Sequence, residues 1–386
     1  MTQFSFSAAL AMRFAASALM CLGMPGAFAQ TASPTGVAAR QAASNAVNTA
    51  GEFANFAQWQ GVPEFIDQIV AEHGFNKVEV EALLRQTHYV ESAVQLMKPG
   101  PPGRPKNWRA YRARFVEPIR INAGTAFWDQ NAEALSRAEM QFGVPAEIIV
   151  GIIGVETIYG RNTGNFRVMD AVTTLAFAYP DAPNREARMA YFRGELENTL
   201  LFARESGIDP FSLLGSYAGA IGWPQFMPSS IRHHAIDFDG DGKIDLRKSQ
   251  ADAIGSVANF LVRHGWKPGA PIVFPASIRP IETGNEPDTA EGNSQSNPWQ
   301  KFIAQSLEAK YTLDELATGG IVPGAAPPPD MRFGLVDLQN GTQPTEFWLG
   351  ADNFFAITQY NRSFFYAMSV IDLGRSVRVA RNRLQQ

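Results

Sequence analysis

The alternation of apolar and polar positions that marks most of the chain breaks at Pro145 to Arg161, PAEIIVGIIGVETIYGR, where Ile148, Ile149, Val150, Ile152, Ile153 and Val155 leave no polar face. Such a run predicts a helix buried on every side. The β-branched residues also allow a short buried strand. Length, Pro145 in the position of a first helical turn and Gly160 in that of a left-handed terminator favour the helix. Glu156 lies inside the run, one turn after Ile152 and Ile153 and three residues before Tyr159. Apolar neighbours and the negative end of the helix dipole both disfavour its ionised form, so its pKa is expected to rise. A carboxylic acid held protonated near neutral pH suits protonation of a departing glycosidic oxygen. A structural reading stands beside it, in which Glu156 pairs with Arg161 or caps a neighbouring group.

Helical periodicity surrounds this segment. It runs through WQGVPEFIDQIVAEHG, closed by Gly74, and through NKVEVEALLRQTHYVESAVQ; then KPGPPGRPKNW at 98–108 reads as a loop. WRAYRARF and one long amphipathic stretch, TAFWDQNAEALSRAEMQFG, lead into the Glu156 helix. Helical patterning resumes over 171–177, 191–205 and 253–264. Between these, SYAGAIGWPQFMPSS at 216–230 mixes aromatics with Gly and Pro, as a groove wall does. Residues 268–350 change character: PIVFPASI, KYTLDEL, MRFGLVDL and TEFWLG are short strand-like or mixed runs, with Asn340-Gly341 suited to a hairpin turn. Helix returns over about 363–381. The expected fold class is mainly α (α+β), with a small antiparallel β insertion.

Composition then narrows the chemistry. Charged residues make up 18% of the 386 and the net charge is −4, so no basic field for nucleic acid is present. Five scattered histidines give no HExxH spacing, and His233-His234 cannot face one side of a helix together; no zinc site is expected. The start of the chain, with Arg13, an apolar core from Phe14 to Met24 and Ala27-Phe28-Ala29, reads as an export signal over 1–29, followed by a flexible lead over 30–51. Leu19 and Met20 precede the single Cys21 where a lipid-attachment site wants small residues, so a lipid anchor is not expected. No later stretch is long and apolar enough to span a bilayer, and a periplasmic location is the reading.

One further motif carries chemistry. Asp237, Asp239 and Asp241 stand at positions 1, 3 and 5 of an EF-hand-like loop over 237–252, with Lys243 at position 7 and Lys248 where a bidentate Glu belongs. Asp252 is placed to supply that carboxylate from a longer loop. A structural Ca²⁺ is the expected cofactor, none being needed for the chemistry.

GIIGVET around Glu156, YFRGELENTLLFA at 191–203, GSYAGAIGWPQFMPSS at 215–230, DFDGDGKIDL, DAIGSVANF at 252–260 and QYNRSFFYAMSVIDLG at 359–374 occur in one order. Together they resemble the lytic murein transglycosylase B family over nearly all of the chain beyond the signal. The resemblance implies a lysozyme-like helical core over 131–267, a helical region over 52–130, a small β domain over 268–350 and a return to the core over 351–386. It implies non-hydrolytic cleavage of the MurNAc-β-1,4-GlcNAc bond of peptidoglycan with 1,6-anhydro ends, Glu156 acting as acid and then base. It also implies substrate contacts from Ser216, Gln225, Phe226, Tyr360, Asn361 and Tyr366, and from Tyr111 more weakly. Phe260 stands where relatives use a Tyr hydroxyl. Glycan strands are the expected partner, with other cell-wall enzymes as candidate protein partners. The competing readings are a hydrolytic muramidase, for which Glu195 or Glu197 would be the second carboxylate, and a catalytically silent wall-binding scaffold.

Overall fold

The computed structural model describes residues 55–99, 105–279 and 297–385. The export signal, Cys21 and the lead lie outside them. Among the described residues no single helix is long and apolar enough to cross a membrane.

Helices dominate, and the Glu156 helix, Ala146–Thr157, is at their centre. Nearly every one of its side chains is buried, as a run without a polar face requires. Phe364–Leu384 packs along it at unusually short range. A Cβ on Gly151 would stand 2.3 Å from the backbone oxygen of Val370, and one on Gly374 would stand 2.1 Å from that of Glu147. Each helix thus presents a glycine where the other's backbone passes. Pro118–Gln130 and Gln250–Arg263 pack around this pair, and the apolar cluster they form runs on into Val62–His73.

Two patterns that read as continuous are broken. The segment from Asn76 divides into Lys77–Arg85 and Glu91–Met97, because the backbone between them is taken by a distant helix: Asp170 accepts from His88 N at 3.0 Å and Thr174 from Val90 N at 3.1 Å. The long amphipathic stretch divides at Asn131 into Pro118–Gln130 and Ala132–Phe142. KYTLDEL also differs from its strand-like or mixed reading. Thr312 and Glu315 form a capping box and start a short helix, Leu313–Ala317.

The strands form a four-stranded antiparallel sheet in the order Ile321–Pro323, Val273–Ile278, Gln343–Gly350, Gly334–Asn340, with Val336 opposite Trp348. The hairpin closes at Gly341, as the Asn-Gly pair suggests, and its tip is tied to another part of the chain. Asn340 Oδ1 accepts from Arg109 N at 3.0 Å, and Gly341 N donates to the Lys106 carbonyl at 2.8 Å. A second, two-stranded pairing joins Phe166–Arg167 to Leu214–Gly215. The mainly helical class with a small antiparallel sheet is what the patterning predicts.

Candidate active site

Glu156 sits one residue before the end of its helix, and the way that helix stops sets its surroundings. Gly160 was the expected left-handed residue; the turn begins earlier. Ile158 (φ 53°), Tyr159 (φ 54°) and Gly160 (φ 79°) are left-handed in succession. A β-branched residue is a rare occupant of that region, and each non-glycine there costs on the order of 1–3 kcal/mol. The surroundings enforce it: Thr157 Oγ1 donates to the Trp223 carbonyl at 3.0 Å and accepts from Gly160 N at 3.0 Å, while the Trp223 ring covers Gly160. Tyr159 therefore does not continue the helical face of Glu156. Its ring turns back against Phe127, with centroids 5.2 Å apart.

The carboxyl group of Glu156 is enclosed, with part of the residue still open to solvent. Burial pushes its pKa up from the ordinary 4.5 to about 7, and a hydrogen bond from Tyr366 opposes that rise. Tyr366 Oη donates to Glu156 Oε1 at 2.6 Å from a position 210 residues later in the chain. The alternative partner Arg161 is exposed and makes no ion pair with Glu156. Tyr366 is backed by Tyr360, the rings nearly parallel at 14° with centroids 6.3 Å apart. Tyr360 Oη in turn donates to the Pro224 carbonyl at 2.7 Å. This fixes the Gly-rich loop against the same wall.

The other singled-out residues separate into two groups. Gln225, also left-handed at φ 50°, donates from Nε2 to the carbonyls of Thr163 (3.1 Å) and Gly222 (2.9 Å), leaving its buried Oε1 without a protein partner. Tyr111 and Asn361 line a cavity whose wall continues through Ser363 to Phe365, next to Tyr366. Phe226 and Tyr360, for which the resemblance implies substrate contacts, lie buried. At 2% and 3% exposure they are packed rings, joined to Phe260 at 5.5 and 4.7 Å, and support the wall from behind. Phe260 completes that packing by stacking on His264 at 4.0 Å. Ser216 is buried and its Oγ accepts from Ala218 N and Ala220 N, closing the turn that begins the loop.

Neither glutamate weighed as a second catalytic carboxylate is free for that task. Glu195 accepts from Ser229 N at 2.9 Å and Ser229 Oγ at 2.7 Å, capping Pro228–His234, and Glu197 lies 2.8 Å from His73 Nε2. Trp223 and Thr157, which hold the helix end, were not distinguishable in sequence. A Trp in a Gly-rich loop carries no mark of the partner it covers.

In the aspartate loop, oxygens of Asp237, Asp239 and Asp252 lie within 4.8 Å of one another. Asp241 and Lys243 stand outside that group; Asp241 Oδ1 accepts from Lys243 N at 2.8 Å. Asp252, buried, accepts from Phe238 N (2.8 Å), Asp239 N (3.3 Å) and Asp245 N (2.8 Å), so its carboxylate holds both ends of the loop. Three converging hard oxygen donors fit Ca²⁺.

The family profile described as Transglycosylase SLT domain matches residues 56–375. The chain is 39% identical over 359 residues to the membrane-bound lytic murein transglycosylase B of Escherichia coli (strain K12), covering 91% of each. Among solved structures it resembles catenated lytic transglycosylase SltB1 from Pseudomonas aeruginosa, at 40% identity and a TM-score of 0.73 over 84% of this chain and 99% of that one. It also resembles the Escherichia coli lytic transglycosylase Slt35 in complex with calcium, at 39% identity and a TM-score of 0.70 over 86% and 97%.

Proposed function

Because the chain belongs to the Transglycosylase SLT domain family and is a peptidoglycan lytic transglycosylase, we propose that Glu156 is its acid and its base. The observation that carries this is a carboxyl group raised to about 7 by burial and held by one tyrosine hydroxyl. Protonated, Glu156 gives its proton to the glycosidic oxygen as the bond from the muramoyl C1 breaks. Ionised, it accepts the proton of the muramoyl C6 hydroxyl as O6 bonds to C1, which closes the 1,6-anhydro ring and restores the acid. The substrate supplies the nucleophile, and its N-acetyl group can stabilise the intermediate, so one carboxylate serves where ordinary glycosidases use two. Tyr366 favours the ionised state without locking it, which suits a group that must visit both. Tyr111 and Asn361 offer a ring and an amide along the same wall.

Mass spectrometry of products released from purified peptidoglycan tests the chemistry. Muropeptides lighter by one water than reducing ends are expected. Reducing ends would make the enzyme a muramidase, and no release would leave a wall-binding scaffold.

We further propose that the protein works in the periplasm and that Asp237, Asp239 and Asp252 hold a Ca²⁺ that braces the loop at the start of Gln250–Arg263. A site of this openness binds in the millimolar range, so 10 mM Ca²⁺ is expected to add roughly 1–3 kcal/mol of stability. The melting temperature should rise by several degrees over that in chelator, and Asp237→Asn should remove the difference. Equal melting in Ca²⁺ and chelator would end the assignment.

A further inference from the structure

We propose that the cavity beside Tyr111 and Asn361 is a binding site for the carboxylates of the peptide stem carried by the muramic acid unit. This rests on peptidoglycan being the substrate of the cleft. The cavity holds about 750 Å³ and is walled by four separate parts of the chain: the stretch from Pro105 to Arg114, the segment from Ile303 to Leu307, the sheet at Asp337, and the segment just before Tyr366. Phe365, on its wall, directly precedes Tyr366, whose hydroxyl holds Glu156.

Charge is what sets the cavity apart. Lys106, Arg114 and Arg362 line it with their side chains exposed, against one carboxylate, Asp337, which accepts from Gln339 Nε2 at 2.7 Å. Among the described residues none of the three cations has an ion-pair partner. Their neighbours do: Arg112 reaches Asp372 at 2.6 Å and Arg109 lies 3.9 Å from Glu346. A chain of net charge −4 thus keeps three unpaired cations around one concavity, on a wall that leads in sequence to the tyrosine holding Glu156.

The sugar backbone does not call for them. Its hydroxyl and N-acetyl groups are neutral, and aromatic and amide side chains such as Tyr111 and Asn361 answer those groups. The free carboxylates of a muramic acid unit lie on the peptide attached through its lactyl ether, and guanidinium groups pair with carboxylates in a planar, two-bonded fit. The hairpin tie from Asn340 to Arg109 N and from Gly341 to the Lys106 carbonyl holds the two charged walls at a set separation.

The test compares kcat/KM on intact glycan strands with that on strands stripped of their peptides by an amidase and then capped as the methylamide at the lactyl carboxylate this exposes, for the wild type and for an Arg114→Gln/Arg362→Gln double variant. Both side chains are exposed, so folding is not at issue. The wild type should prefer intact strands by about tenfold, the range of two exposed charge contacts, and less at high salt. In the variant the preference should collapse toward one, through KM and not kcat. A wild-type ratio near one, or a ratio the variant leaves intact, overturns the proposal. Absence of anhydro ends from both substrates would instead overturn the reading of the cleft, and this one with it.

Discussion

Glu156→Gln should release anhydromuramic ends at least about 10⁴-fold more slowly than the wild type while binding glycan strands with similar affinity. General acid–base groups contribute about 10²–10⁴ each, and here one side chain is asked to perform both transfers. Glutamine keeps the shape and can still accept from Tyr366, so binding measured by fluorescence or calorimetry reports an intact cleft. Loss of less than about tenfold would remove Glu156 from the mechanism. The wild-type kcat should also fall as pH rises through about 7, where the acid form is lost. Tyr366→Phe, which deletes the hydrogen bond favouring the carboxylate, should move that limb to higher pH and lower its plateau.

The same shift makes a statement about stability whose sign is fixed. A carboxyl group raised from 4.5 to about 7 by folding binds more protons in the native state than in the unfolded one between those values. Stability is undiminished below the lower value and declines as pH climbs to the higher, by about 3 kcal/mol. Glu156→Gln escapes that decline. Its melting temperature should exceed the wild type's at pH 8 and match it at pH 4.

Gly374→Val should be the most destabilising single change in the helical core, by about 3 kcal/mol or more. A Cβ there would meet the Glu147 carbonyl at 2.1 Å, and backbone cannot rotate aside as a side chain can. The two central helices would have to separate, drawing Tyr366 from Glu156, so activity should fall with stability. Gly194, in Arg185–Ser206, is the control: nothing lies within 4 Å of its would-be Cβ. Gly194→Ala should stabilise by up to about 1 kcal/mol. Thermal melts of the two variants with similar losses would mean that the close approach is not what holds the pair.

What the sequence disclosed follows from how local each signal is. The Glu156 helix announces itself because an uninterrupted apolar run has few other fates, and the elevated acid follows from its neighbours. The hairpin at Gly341 is likewise written in two residues. The misread points depend on residues far away. Thr87 to Val90 leave the helix for Asp170 and Thr174; Ile158 and Tyr159 adopt a left-handed path that Thr157 and Trp223 impose; Phe226 and Tyr360 turn their rings inward to Phe260. The donor to Glu156 belongs to this second kind. Apart from the family resemblance, nothing near Tyr366 shows which acid its hydroxyl will find.

That pairing also orders events in time. Glu156 emerges early from the ribosome and its tyrosine only after the whole small sheet has been made, so for the interval between them the chain carries the carboxyl group without the hydroxyl that holds it. The complete pairing arrives with the last helix. A prematurely ended polypeptide therefore lacks both the Tyr366 hydroxyl and the close-packed partner of the Glu156 helix.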